Sequence, residues 1–143
     1  MPTYVPYRRT VAVFLFITAA LTVVYWLLFF FVPEAVRSSD TPEYLAFESA
    51  FPAADLWMAL AALLAGLGLW RLKSSAMLWS LLAGSALIFL GLMDVLYNLE
   101  NNMYALGGSE MAIEAVINVW CLAFGSFVIW YAWRHRRAFL SKE

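Results

Sequence analysis

Residues 11–32 read VAVFLFITAALTVVYWLLFFFV, 22 positions without a charged side chain, closed by Pro33. At about 1.5 Å per residue the run spans roughly 33 Å as a helix, enough to cross the ~30 Å hydrocarbon core of a bilayer. Arg8 and Arg9 precede it. A cleaved secretory signal has a shorter core, about 7–15 residues, and a small-x-small cleavage site behind it. The run lacks both features and reads as a retained transmembrane helix. Hydrophobic residues make up 64% of the 143 positions and charged residues 13%. Soluble domains carry roughly 45–50% and about 25%. A small globule has too much surface to hide that apolar excess, and a bilayer removes the conflict by acting as the solvent.

Working outward, three more apolar runs follow at about 51–70, 76–97 and 111–133. Polar segments at 33–50 and 98–110 read as outer loops, 71–75 as an inner turn and 134–143 as a basic tail. The chain is therefore expected to be a single all-α transmembrane domain over 1–143, a four-transmembrane-helix bundle. Within the first loop, Thr41-Pro42-Glu43 suits the start of a short interfacial helix, with Thr41 as N-cap and Pro42 at the first helical position. Arg71 and Lys73 close the second span, Ser74 and Ser75 permit a tight turn, and Gly107 and Gly108 break the second loop.

Eight of the nine basic residues (Arg8, Arg9, Arg71, Lys73, Arg134, Arg136, Arg137 and Lys142) fall on one side of these spans, and Arg37 alone on the other. The positive-inside rule then gives N-in/C-in, a multi-pass protein of the cell membrane with both termini cytoplasmic. Aromatic residues bracket the spans, Tyr25, Trp26, Trp57, Trp70, Trp79, Tyr97, Trp120, Trp130 and Trp133 among them, and read as lipid-facing interfacial anchors. Ala62 and Gly66 on the second span, and Ala76, Ser80 and Gly84 with Gly91 beyond on the third, are small residues at spacings that let helix backbones approach. They predict a tight antiparallel hairpin of the second and third spans about Ser74-Ser75.

Other chemistries find no support in the chain. Net charge is -1, so there is no basic field for nucleic acid, and no nucleic-acid motif is present. The one cysteine, Cys121, excludes an internal disulfide and a CxxC mechanism and reads as a small apolar residue. A lone histidine, His135, sits among Arg134, Arg136 and Arg137 and reads as a basic anchor touching anionic lipid rather than a metal ligand. No metal site, cofactor or catalytic residue is implied.

The acidic residues carry the one informative pattern. Glu34, Asp40, Glu43, Glu48, Asp55, Asp94, Glu100, Glu110 and Glu114 lie toward the outer end, and only Glu143 toward the inner. Fifteen uncharged residues separate Asp55 from Arg71, roughly 22 Å of helix, so Asp55 falls below the outer hydrocarbon boundary. Asp94 and Glu114, 20 and 19 uncharged residues from Lys73 and Arg134, fall at the boundary itself. Asn98 and Asn118 follow Asp94 and Glu114 one turn along the same faces, and Glu48 precedes Asp55 by two turns. An unpaired charge at bilayer depth costs about 2.5–3.5 kcal/mol, so such groups turn inward to a partner or a wet cavity. The expectation is an outward-opening acidic funnel between the second, third and fourth spans, lined by Glu48, Asp55, Asp94, Asn98, Glu114 and Asn118. Arg37 is the one outer cation available to fold over it.

Phe47-Glu48 and Phe51-Pro52 at the start of the second span, Asp94 near the outer end of the third, and the basic C-terminal tail resemble the EXPERA group. That group includes the sigma-2 receptor and the sterol isomerase called emopamil-binding protein. The resemblance covers the four-helix outline and implies an intramembrane cavity that takes amphipathic cations or sterols, with Glu48 and Asp94 as the positions carried over. The chain departs from the group in having no acidic residue within its first span, a short first loop and no intramembrane histidine, which argues against isomerase activity.

The function expected from the residues is therefore binding of a small amphipathic, cationic or lipid ligand within the bilayer. A cation- or proton-coupled transporter, an accessory subunit docked on a larger membrane partner or on copies of itself, and an EXPERA-like lipid isomerase are the alternatives.

Overall fold

Helix α1 (Arg8–Phe31) is the quoted run with one turn added at its start, and Val32 ends it before a 3-10 turn at Pro33–Ala35. The computed structural model describes residues 5–37 and 39–140, with no description of the Leu106, Glu110 and Leu140 side chains. Ser38 of the first loop and Lys142 and Glu143 of the tail lie outside the described residues. A short helix α2 (Pro42–Glu48) follows, then α3 (Pro52–Arg71), α4 (Ser75–Glu100), α5 (Met103–Leu106), α6 (Ser109–Arg134) and α7 (Arg136–Leu140). The described residues are all-helical, without strands, and four segments are long and apolar enough to cross a membrane: α1, α2–α3 together, α4 and α6.

The long helices form a closed ring. α1 packs on α3, α3 on α4 and α4 on α6. The ring closes through side chains: the Trp120 indole N–H donates to Thr18 Oγ1 at 3.1 Å, and Phe14 lies against Trp120 and Phe124. Inside are Ala12, Ala61, Ala62, Ala65, Ala76 and Ala83, all at 0% exposure, so the backbones approach closely. Outside, Phe30, Phe89, Leu92, Val116, Val119 and Trp130 are 55–69% exposed on every side of the ring. A soluble protein does not leave so continuous an apolar belt bare, whereas lipid tails solvate it.

The expected hairpin of α3 and α4 is present, with Gly68 set against the backbone of Ala76. Its turn is a Schellman closure: Lys73 N–H donates to Gly68 O at 2.9 Å and Leu72 N–H to Leu69 O at 3.3 Å, with Leu72 in the left-handed region at φ 54°. The other small residues serve different neighbours. Gly66 receives the Phe16 ring of α1, Gly84 meets Gly125 of α6, and Gly91 meets Cys121. Gly66 and Gly68 lie about 200° apart around the helix axis and so cannot face the same partner.

At the end of the bundle that carries both termini the chain is stitched together by polar contacts. Tyr131 Oη donates to Pro6 O at 2.7 Å, and Phe139 of α7 tucks back into the core at 0% exposure. Arg8 reaches the end of α3, where its Nη1 donates to Leu69 O at 3.0 Å and also to Trp70 O. A cation on the last carbonyls of a helix C-terminus adds a hydrogen bond to them and complements the dipole. Arg8→Ala is expected to lower stability by about 1 kcal/mol. Thermal unfolding in detergent, followed by circular dichroism, would read the difference.

His135 ends α6 with its ring stacked on Tyr131, centroids 4.7 Å apart. Burial and the adjacent Arg134 guanidinium hold its imidazole below the ordinary histidine value. The ring is a packed group at the bundle's end as well as a member of the basic collar.

The opposite end carries a cap. Thr41 accepts from Tyr44 N–H at 3.4 Å and starts α2, with Pro42 in the first turn. The four-residue α5 is bracketed by left-handed backbone at Asn102 (φ 52°) and Gly107 (φ 68°). These two pieces bring Tyr44 and Met103 onto Trp26, Phe29 and Met111 as a second apolar cluster, distinct from the main core.

Candidate functional site

The join between the two apolar clusters is where the chain places its carboxyl groups. Along α3, Phe51 touches both clusters, Asp55 follows, and Met58 belongs to the main core. Along α4 the order is Leu90 of the main core, Asp94, then Tyr97 of the cap. Along α6 it is Met111 of the cap, Glu114, then Cys121 of the main core. Glu48, the last residue of α2, enters from the cap side. Four elements thus contribute one carboxyl each to a single layer. Glu48 lies in the electrostatic field of Asp55, Asp94 and Glu114, and Asp94 in that of Asp55 and Glu114.

The donors to this layer come partly from α1. Trp26, only 4% exposed, donates its indole N–H to Asp55 Oδ2 at 2.8 Å. Tyr25 Oη donates to Glu48 Oε2 at 3.4 Å. Asn98 Nδ2 donates to Glu114 Oε1 at 2.7 Å, while its Oδ1 is buried without a hydrogen-bond partner, in a side chain 1% exposed. Asn118 takes a neighbouring place rather than joining the carboxyls. Its Nδ2 donates to Tyr104 Oη of α5 at 3.0 Å, and its Oδ1 is likewise buried and unpartnered. Phe47 stacks on Tyr97 with ring centroids 3.9 Å apart beside Glu48.

Of the six residues singled out from sequence, Glu48, Asp55, Asp94, Asn98 and Glu114 are therefore brought together, and Asn118 pairs separately with α5. Tyr25 and Trp26 stand where the sequence reading left room for an open funnel, and they are not the lipid-facing anchors that their place in an aromatic belt implied. Trp57, Trp70, Trp130 and Trp133 do remain exposed as anchors. No charge on α1 signalled its part in the site, and an aromatic pair at a span's outer turn looks the same whether it faces lipid or a carboxylate.

Arg37 also departs from expectation. Its Nη2 donates to Phe29 O at 3.0 Å, its guanidinium lies 4.5 Å over the Phe29 ring, and Nη1 is 3.8 Å from Asp40 Oδ1. The backbone carbonyl and ring hold it on the cap, and among the described residues no basic side chain is paired with Glu48, Asp55 or Asp94. Nor do any three His, Cys, Asp or Glu side chains among those residues converge closely enough to hold a metal ion. The arrangement is a layer of carboxyl groups with aromatic and amide neighbours, within an all-helical protein whose four long apolar segments fit a membrane. No family model, curated protein or solved structure matches the chain.

Proposed function

We propose that this is a multi-pass protein of the cell membrane, with cytoplasmic termini, that binds a small amphipathic cation or lipid amine in the acidic layer at its outer end. The observation that carries the reading is one carboxyl group from each of four elements within electrostatic reach of the others, with indole, phenol and amide donors and, among the described residues, no basic side chain paired with Glu48, Asp55 or Asp94. Ionised carboxylates at such depth cost a few kcal/mol each, and an ammonium group among them offsets that cost. The rings of Trp26, Tyr25 and the Phe47–Tyr97 stack add faces that attract a cation. Beneath the layer the core is alanine-lined from Leu90 and Cys121 down to Leu69, apolar apart from the Thr18 and Ser80 hydroxyls, which favours binding over conduction. The asymmetry of the basic residues supports the orientation.

Phe47, Glu48, Phe51 and Asp94, which carry the resemblance to the EXPERA group, meet at this layer, and kinship with that group is part of the same proposal. A ligand entering from outside would pass the cap cluster that holds Tyr44 of α2 and Met103 of α5.

The test is equilibrium binding of N,N-dimethyldodecylamine to the reconstituted protein, with dodecanol as the uncharged comparison. Wild type is expected to prefer the amine, and Asp55→Asn to weaken it about tenfold or more, the worth of one charge-assisted contact. Equal binding of amine and alcohol, or unchanged affinity in Asp55→Asn, contradicts the reading.

A further inference from the structure

The opposite end of the bundle holds a second site of different chemistry. Beside the α3–α4 turn lies a cleft of about 200 Å³. Its walls are Leu64, Leu67 and Trp79, and its mouth is Arg71, Lys73 and Ser75. Arg71 and Lys73 are exposed, and among the described residues the side chain of neither makes a hydrogen bond or ion pair. No Asp or Glu of the described residues lies at this end of the spans.

The mouth is also the start of α4, a 26-residue helix whose N-cap, Ser74, makes no side-chain capping bond. Ala76 and Met77 N–H of that turn already donate to Lys73 O and Ser74 O, so the start of α4 adds its dipole, rather than free amides, to the field of the two cations. An anion is called for at the mouth, yet the walls above it are apolar and face the lipid side of the ring. Trp79 leads on to Trp57, ring centroids 6.3 Å apart. Trp57 in turn lines a larger cleft of about 320 Å³ with Phe89 further along the same helix pair. The furrow is charged at one end and apolar along its length.

We propose that this furrow binds an anionic phospholipid, its phosphate held by Arg71, Lys73 and Ser75 and one acyl chain laid along Leu67 and Trp79. A free phosphate would use the mouth and leave the walls idle, and a zwitterionic lipid would place its own cation against Arg71 and Lys73.

Native mass spectrometry of the detergent-purified protein supplied with equal phosphatidylglycerol and phosphatidylcholine tests this. Wild type is expected to retain one phosphatidylglycerol in preference to phosphatidylcholine. Arg71→Gln with Lys73→Gln should weaken that retention about 30-fold, the worth of two cations near an anionic headgroup. Arg134→Gln with Arg137→Gln, which removes two exposed cations away from the cleft, should leave it unchanged. Leu67→Trp keeps the charge but fills the cleft and should also lose the lipid. Equal retention of the two lipids, equal loss from both charge pairs, lipid retained by Leu67→Trp, or displacement of the lipid by millimolar inorganic phosphate would each overturn the proposal.

Discussion

Gly125→Leu is expected to destabilise the bundle by about 3 kcal/mol or more. A Cβ at position 125 would stand 2.8 Å from the Gly84 carbonyl oxygen and 3.0 Å from Leu87 Cβ. The reciprocal Cβ at Gly84 would stand 2.7 Å from the Gly125 carbonyl oxygen and equally close to Ile129 Cγ1. Two backbones touch here with no side chain between them. A helix backbone cannot step aside locally, so a larger residue must push α4 and α6 apart along the seam that also seats Gly91 against Cys121. Gly66 presents a milder case, because its close neighbour is the Phe16 ring, which can rotate away. Unfolding in mixed micelles of increasing denaturing-detergent fraction measures the loss. A wild-type midpoint for Gly125→Leu would mean that α4 and α6 do not meet at this seam.

Trp26→Phe is expected to cost about 2 kcal/mol, most of it through Asp55. Phenylalanine keeps a ring for the contacts with Tyr25, Phe29 and Phe30, whose centroids lie 5.1–5.8 Å away. What it removes is the donor 2.8 Å from Asp55 Oδ2. A carboxyl group stripped of its donor away from water loses more than the bond was worth, because it retains its desolvation cost. Replacing Asp55 as well removes the stranded partner. In an Asp55→Leu background, Trp26→Phe should therefore cost about 1–2 kcal/mol less than in wild type. The double-mutant cycle separates the polar contact from the packing around it. Additive effects would place the indole and the carboxyl in independent surroundings.

The fold was legible because bilayer thickness imposes a length that the sequence must obey. Each of the four runs became a helix within about three residues of its expected ends, and even the Thr41-Pro42 start of α2 follows from capping chemistry alone. Pairing of the helices was less legible. Small residues at i and i+4 announce a close approach but not to which neighbour, and Gly66, Gly84 and Gly91 were assigned to one hairpin when they serve two other interfaces. Gly125, which completes the tightest seam, has Cys121 four positions before it, small but not one of the Gly, Ala or Ser residues that mark such a stripe.

For the candidate site, depth counting drew attention to the carboxyls because charge within a span is costly and conspicuous. It missed Tyr25 and Trp26 because amphipathic aromatics are equally at home at a membrane interface. It offered Arg37 as a cover for the carboxyls because sequence shows where a cation lies along the chain but not which backbone carbonyl it finds.

The most direct measurement is an experimental structure determined in lipid with N,N-dimethyldodecylamine present. The account predicts an ammonium nitrogen about 3 Å from a carboxyl oxygen of Asp55 or Asp94, with Trp26 still on Asp55 and the alkyl chain running toward the bilayer. Carboxyl groups of Glu48, Asp55, Asp94 and Glu114 found turned apart into the headgroup layer, with the amine elsewhere, would contradict it.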